Sequence, residues 1–520
     1  MGVFDLFRTK PEPAPAPEVK RRPTLANMKA AARMFFGSGD TTRLSGDWPT
    51  MPVPAEWIIS RHQRTVVARS REQYFNNDYM KAYLRLCRQN IVGSSGIVFQ
   101  SKASTATGKP DLKARKANER AFRDWMKAKN CDVAGNLSWR AIQAACVDCG
   151  ARDGEFMLRK IRGADAGKYG FALQILDPQR CPVDLDEYDL PNDEFIRSGI
   201  RYNRYGRPLS YAFTNQSEDS ARLGYTYAGR SFDWVPADEI IHGFKTEIIG
   251  QKRGLPWLAT GLFRMKQMGA FEDAAVVNAR VGAAKMGVVE FADGTGPEGN
   301  DGCDENGDMD LQIDAEAGAF LVLPNGAKLN KFDPTYPAGE FASFIKQCLR
   351  SMAAGGGVSY HNLAQDLEGV NFSSIRQGTL DEREHFKELQ EWLCEVLCEP
   401  VFEAFLESAL LRGKIIKDDG TPLPASKIHL YEEHEWQGRR WDWIDPTADM
   451  KAAEGKKNNL LASPGALIRE QGGDPDRVWE EIGQDIASMR AAGIPDEFIK
   501  AGFSIDPVPP KPEQKKEATP

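Results

Sequence analysis

Histidine, cysteine and closely spaced carboxylates are the side chains that hold metals and move protons, and this 520-residue chain groups them in few places. His429 and His434 stand near Glu432, Glu433 and Glu435. Their segment reads as extended, whereas a two-His metal face needs helical spacing, so solvated side chains beside a strand are the simpler reading. Cys146-Val-Asp-Cys149 has the spacing of half a four-thiolate zinc site, but no second CxxC completes it. Cys394 and Cys398 lie one helical turn apart beside Trp392, Leu393, Val396 and Leu397, which suits buried free thiols. Asp304, Asn306 and Asp308 mimic the start of a calcium loop, yet Met309 sits where that loop needs glycine. No metal ligand set and no cofactor site emerges.

Motifs for catalysis are equally absent. A phosphate-cradling loop needs Gly-Lys followed by Ser or Thr, and the four Gly-Lys pairs (108–109, 167–168, 413–414 and 455–456) lack it. There is no GxSxG elbow and no HExxH. His242, between Ile241 and Gly243, reads as a packed core residue. These patterns point to a protein without catalytic residues. The net charge of −7 argues against tight duplex binding, because phosphate neutralisation needs a basic face; a passage through which DNA slides is compatible with it. No stretch approaches the roughly 20 apolar residues of a membrane span, and the N-terminus shows no secretory pattern. The expected setting during synthesis is the host cytoplasm, with no membrane partner.

The elements that would position these residues are mixed. Residues 1–60 are rich in Pro, Ala and Gly and read as variable or disordered apart from a short helix near 25–36. Two helices join at Asn76-Asn77, with Asn77 an N-cap and Tyr79, Tyr83, Leu86, Asn90 and Ile91 on one face. Helices follow near 112–127 and 138–149. Strands are expected at Glu155–Leu158, Phe171–Leu176, Trp234–Pro236 and Ile240–Phe244, with a hairpin turning at Tyr205-Gly206-Arg207-Pro208. A long helix over 258–290 is kept thin by Gly261, Gly269, Ala270, Ala274, Ala275, Ala279, Gly282, Ala283 and Ala284, so neighbouring backbones can approach it. An acidic, Gly-rich insertion follows, then strands at 318–323 and 327–332. A helix over 338–354 stops at Gly355-Gly356-Gly357. Ser374 with Gln377 suggests a capping box for the next long helix, which Pro400 should kink or divide. Residues 428–436 read as extended. Helices near 446–461, 463–471 and 475–492 precede a disordered tail.

Several segments together resemble the lambda family of tailed-phage portal proteins. They are ARSREQYFNNDYMKAYLRLCRQNIVGSSGI, IRSGIRYNRYGRPLSYAF, PADEIIHGFKTEIIGQKRGLPWLATGL, GVSYHNLAQDLEGVNFSSIRQG and WDWIDPTADMKAA, in that order over roughly residues 60–490. The resemblance implies an α+β, predominantly helical subunit of a ring, normally of twelve copies, at one capsid vertex. Mapped onto this chain, it implies a variable segment 1–60, a wing 61–257, stem helix 258–290, α/β clip 291–333, stem helix 334–355 and tunnel loop 356–373. A wing spine helix and return strand then fill 374–444, helical crown 445–505 and disordered tail 506–520. The implied function is a channel for packaging, retaining and ejecting the genome. The implied partners are copies of itself, double-stranded DNA passing without sequence specificity, the terminase large subunit, head-completion or connector proteins, and major capsid and scaffold proteins. A different oligomeric virion component is the second reading, and a DNA-processing enzyme a third.

Under that mapping a ring of twelve copies at −7 each would carry −84, which repels phosphate and limits sticking. Grip would fall to a few cations: Arg264, Lys266, Arg280 and Lys285 on the first stem helix, Lys346 and Arg350 on the second. Carboxylates of the next subunit, such as Glu272, Asp273 or Glu340, are their expected partners. In the tunnel loop, Tyr360, His361, Asn362, Gln365 and Asn371 offer polar and stacking surfaces, while Asp366 and Glu368 add repulsion. Flanking glycines would let this loop shift along a duplex.

Overall fold

Asn77 shows how local chemistry sets the architecture. Its backbone is extended, and its side-chain oxygen accepts from the amides of Tyr79 at 3.0 Å and Met80 at 3.2 Å. It therefore ends helix α1 (Ala55–Asn76) and starts α2 (Asp78–Ile91) at a sharp joint, as its type predicts. The computed structural model describes residues 43, 49–214, 232–283, 287–291, 327–331, 341–369, 371–441 and 446–503. The elements all belong to one compact unit, Ala55–Pro520.

After α2 the chain runs through β1 (Val98–Ser101), α3 (Leu112–Trp125), the one-turn α4 (Ala128–Cys131) and α5 (Trp139–Asp153). Strands β2 (Glu155–Arg162) and β3 (Phe171–Leu176) pair antiparallel. A meander then forms from β4 (Glu187–Leu190), β5 (Glu194–Arg197), β6 (Ile200–Tyr202), β7 (Pro208–Thr214) and β8 (Phe232–Pro236). Strand β9 (Ile240–Phe244) returns to the other edge of β2, so the sheet order is β3-β2-β9. The expected hairpin is β6–β7. Met157, Leu176, Cys181, Ile200, Tyr211, Phe213, Val235 and Ile240 fill the space between the two sheets.

Helix α6 (Leu262–Ala283) comes next, then the paired strands β10 (Gly287–Phe291) and β11 (Ala327–Lys331). The helix expected over 258–290 is thus shorter at both ends. Residues 257–261 form turns between Pro256 and Gly261, and the β-branched Val288-Val289 pair extends as strand. The calcium-like loop, the strand expected at 318–323 and the segments 1–42 and 504–520 lie outside the described residues.

Helix α7 (Phe341–Gly356) runs through two of the three glycines and stops at Gly357, whose φ of +67° is left-handed. The expected loop after it is partly helical: α8 (Tyr360–Ala364) is capped by Ser359. Helix α9 (Phe372–Leu393) is capped by Asn371, whose side chain accepts from the Ser374 amide at 2.8 Å. Ser374 is therefore inside the helix, and the Gln377 side chain donates to Asp381, so no capping box forms. A π-helical turn, Cys394–Cys398, joins α9 to α10 (Glu399–Leu411). Pro400 occupies the first turn of α10, where its missing N–H costs little.

Residues 425–430 form a 3₁₀ turn rather than extended chain, and β12 (His434–Gln437) pairs antiparallel with β1. Helices α11 (Pro446–Asn458), α12 (Pro464–Glu470), α13 (Pro475–Ala491) and α14 (Asp496–Phe503) close the described chain. The main core joins α2, α3, α5, β2, α7, α9 and α10 around Phe122, Trp125, Trp139, Phe402 and Phe405. Gly154, at the end of α5 with φ +90°, shows how tightly this core meets the approach to α6. A Cβ there would lie 2.3 Å from the Leu255 backbone.

Candidate functional site

Two helices and one capped turn gather most of the residues singled out from the sequence. Helix α6 buries Leu262, Met265 and Met268, and α7 buries Ile345, Leu349, Met352 and Ala353. The helices meet through Phe271, whose ring stacks on Phe341 at 5.3 Å and meets Phe344 edge-on at 5.4 Å. At its C-terminal end α7 is fixed to α2, because the Tyr83 hydroxyl donates to the Gly356 carbonyl at 3.3 Å. The outer faces remain apolar and exposed: Phe263 by 75%, Val276 by 59%, Val277 by 55% and Phe344 by 52%.

Four of the six expected stem cations have partners within the chain. Lys266 lies 3.5 Å from Glu72, Lys346 lies 3.2 Å from Asp366, and Arg264 donates to Ser351. Arg350 sits over the Tyr360 ring at 5.5 Å. Arg280 is exposed, and Lys285 and Glu340 lie outside the described residues. Within the single chain the carboxylates that answer Lys266 and Lys346 are Glu72 and Asp366. Glu272 instead accepts from the Tyr79 hydroxyl at 3.4 Å.

The segment after α7 is folded rather than loose. Tyr360 donates to Asp366 Oδ2 at 2.7 Å, and the Glu368 amide donates to Asp366 Oδ1 at 2.9 Å. Hydrogen bonding by Tyr360 comes first among the causes that hold the Asp366 carboxyl down at about 2, ahead of the Glu368 amide and Lys346. Burial, then Asp366, pushes the Tyr360 phenol up to about 12. His361 Nδ1 lies 2.8 Å from the Asp366 carbonyl. On the other side Glu382 of α9 accepts from the Ser359 amide at 3.2 Å, from the Ser359 hydroxyl at 3.4 Å and from the Asn362 side chain. Desolvation raises the Glu382 pKa above the usual carboxylate value. Leu363 is buried beneath this network.

Tyr360, His361 and Asn362 are therefore half-buried anchors, and Gln365 leaves α8 in the left-handed region at φ +55°. The exposed tip comprises Gln365, Leu367, Glu368, Gly369 and Asn371, with Leu367 exposed by 67%. Sequence reading missed Leu367 and the anchor Glu382. The first lacks a polar signal, and the second lies on another helix.

A second buried network, also unread in the sequence, joins the sheets to the approach to α6. Arg253 is fully buried; its Nε donates to both Glu155 oxygens at 2.9 Å and its Nη2 to Oε1 at 2.7 Å. The other guanidinium hydrogens reach the carbonyls of Ser198 (2.8 Å), Pro178 (3.1 Å) and Cys181 (3.2 Å). Glu155 also accepts from Gln63 Nε2 at 2.9 Å and the Gly254 amide at 3.0 Å, and lies 3.0 Å from His242 Nε2. Burial opposes ionisation of Glu155, but Arg253 and His242 overcome it and hold the carboxyl well below its usual range. Burial lowers the His242 pKa. His242 is thus a packed core residue with a carboxylate partner.

Among the described residues no group of three or more His, Cys, Asp and Glu side chains could hold a metal, and eight cysteines are free thiols. Cys146 and Cys149 are among them, on α5. The site is built for packing and anchoring. The chain belongs to the lambda family of phage portal proteins: the model of that family, "Phage portal protein, lambda family", matches residues 41–390. A probable portal protein of Halomonas phage phiHAP-1 is 33% identical over 490 residues, covering 94% of this chain and 91% of the relative. Portal protein B of Escherichia phage lambda is 22% identical over 476 residues, covering 84% and 86%. The neck of an empty GTA particle (computed with C6 symmetry) aligns with a TM-score of 0.43 at 12% identity, covering 79% of this chain and 94% of that one. Among the described residues no helix is long and apolar enough to cross a membrane.

Proposed function

We propose that copies of this chain close into a ring, normally of twelve, whose central channel passes the phage genome at one capsid vertex. The observation that carries this reading is the outer surface of α6 and α7. Phe263, Val276 and Val277 project from α6 into solvent in the single chain, and half of Phe344 on α7 is exposed beside its contact with Phe271, although apolar side chains so placed favour burial. Heterologous contact between copies covers such faces and generates a closed ring when the rotation closes.

In this reading 61–257 is the wing, α6 and α7 are the stem, and 291–333 is the clip that receives the terminase large subunit and later the connector proteins. Capsid and scaffold proteins surround the wing, α9 is its spine, and α11–α14 form the crown. The exposed tip residues Gln365, Leu367, Glu368, Gly369 and Asn371 face the duplex, held by Tyr360, Asp366 and Glu382. The negative net charge favours sliding over grip along the channel. Electron microscopy of the purified protein tests the ring: closed rings with a hole of duplex width support it, and monomers or closed shells refute it.

A further inference from the structure

Positive charge gathers in a place remote in sequence from both proposed stem helices. A cleft of about 1130 Å³ is lined by residues of α9, α11 and α12. Seven Arg or Lys side chains line it against four Glu or Asp, a positive excess within a chain of net charge −7. Arg376, Arg383 and Lys387 stand at i, i+7 and i+11 on α9, so they share one face over about 16 Å at 1.5 Å per residue. Lys456 and Lys457 line the α11 side, and Arg440 and Arg469 also contribute to the lining.

Much of this charge is available. Arg440, Lys457 and Arg469 are exposed, and no ion pair holds them among the described residues. Arg376 pairs with Asp449 at 3.3 Å, Lys456 with Glu470 at 3.4 Å and Lys387 with Glu384 at 2.5 Å. Such solvent-exposed pairs are weak, so an incoming polyanion can take over their cations. The cations occur on both walls and along about three turns of α9, a pattern suited to a repeating charge. One strand of a duplex presents a phosphate about every 3.4 Å, or four to five over that length.

We propose that this cleft is a contact for the phosphodiester backbone of duplex DNA, separate from the tip at 365–371. The choice of DNA among polyanions rests on the portal reading. The cleft supplies a local basic face that the overall acidic balance conceals, and its contacts are to backbone charge without sequence preference.

The test is binding of a labelled duplex of about 30 base pairs to assembled protein, at salt from about 50 to 200 mM. Wild type is compared with Arg440→Glu/Lys457→Glu/Arg469→Glu and with the milder triple change to Gln. A control, Lys81→Glu/Lys113→Glu/Lys129→Glu, alters the same number of exposed charges elsewhere. The cleft reversal should weaken binding at least about tenfold and flatten the salt dependence by about 2.7 in log–log slope, at ~0.9 per phosphate contact. The Gln variant should fall between, and the control should stay near wild type. Equal binding by wild type and both cleft variants overturns the proposal. So does displacement of the duplex by polyglutamate as readily as by unlabelled DNA, which would assign the cleft to an acidic polypeptide. Micrographs of the same samples separate this outcome from the portal reading: intact rings together with DNA binding unchanged by the cleft substitutions sink only the cleft, whereas absence of rings in wild type sinks the channel.

Discussion

The Tyr360 hydroxyl donates to Asp366 Oδ2 at 2.7 Å, closing a six-residue span onto α7, where Lys346 reaches the same oxygen at 3.2 Å. Together with Glu382 on the α9 side, this makes the segment after the stem a fixed support with a short exposed tip. Hydrogen bonds to an ionised carboxylate are stronger than neutral ones, so Asp366 is the hub of that support.

Tyr360→Phe removes the first cause of the low Asp366 pKa. The Asp366 carboxyl should then titrate from about 2 towards its ordinary 3.8, followed by carboxyl NMR. Because the folded value is depressed, its contribution is complete above the ordinary value and fades as pH falls through about 2. An unchanged Asp366 titration in the variant would show that the hydrogen bond does not set it.

Glu155→Gln should destabilise the fold by about 3–5 kcal/mol, because it leaves the buried Arg253 guanidinium without its counter-charge. Chemical denaturation measures this. A loss below about 1 kcal/mol would mean that the three backbone carbonyls suffice.

The pH dependence of stability follows from the same network. Glu155 and His242 are both held below their ordinary values, so the unfolded chain binds more protons as pH falls. Stability should decline first as pH drops past 6.5, where His242 protonates in the unfolded chain, and again past 4.5 for Glu155. His242→Gln should flatten the first step. Equal slopes between pH 7 and 5.5 in both proteins would remove His242 from the account.

Much of the fold was legible because local chemistry decided it. Asn77 capped the helix it was expected to cap, and the alternation around Tyr205–Pro208 gave the β6–β7 hairpin. Ser374 misled, since Asn371 three residues earlier is an equally good cap and offers the side chain that bonds. The helix over 258–290 was overdrawn because the Ala-rich pattern was carried past Ala284 into Val288 and Val289, whose β-branched side chains pair as strand with β11. The Arg253–Glu155 pair was invisible for a different reason: 98 residues separate its partners, and neither type announces burial. Tyr360, His361 and Asn362 read in the sequence as polar loop surfaces, and their types concealed an anchoring arrangement that depends on Glu382.

Val276→Asp and Val277→Asp test the outer surface of α6. Either should leave the monomer folded, since both side chains are exposed by more than half, while shifting the protein from rings to smaller species in light scattering after size exclusion. Unaltered ring mass in both variants would move the interface elsewhere.

Replacing residues 365–369 by a Gly-Ser linker of equal length keeps the Tyr360 and Glu382 ends while deleting the Leu367 and Glu368 side chains. Assembled particles should then lose packaged genome or fill incompletely, measured as DNA per particle. Normal filling and retention would exclude a role for the tip in DNA movement.

The account stands most directly on electron microscopy of the purified full-length protein. It predicts closed rings, normally of twelve copies, pierced by a hole that admits one duplex, with α6 and α7 of adjacent copies in contact around it. Monomers, open filaments or closed shells without such a hole would contradict it.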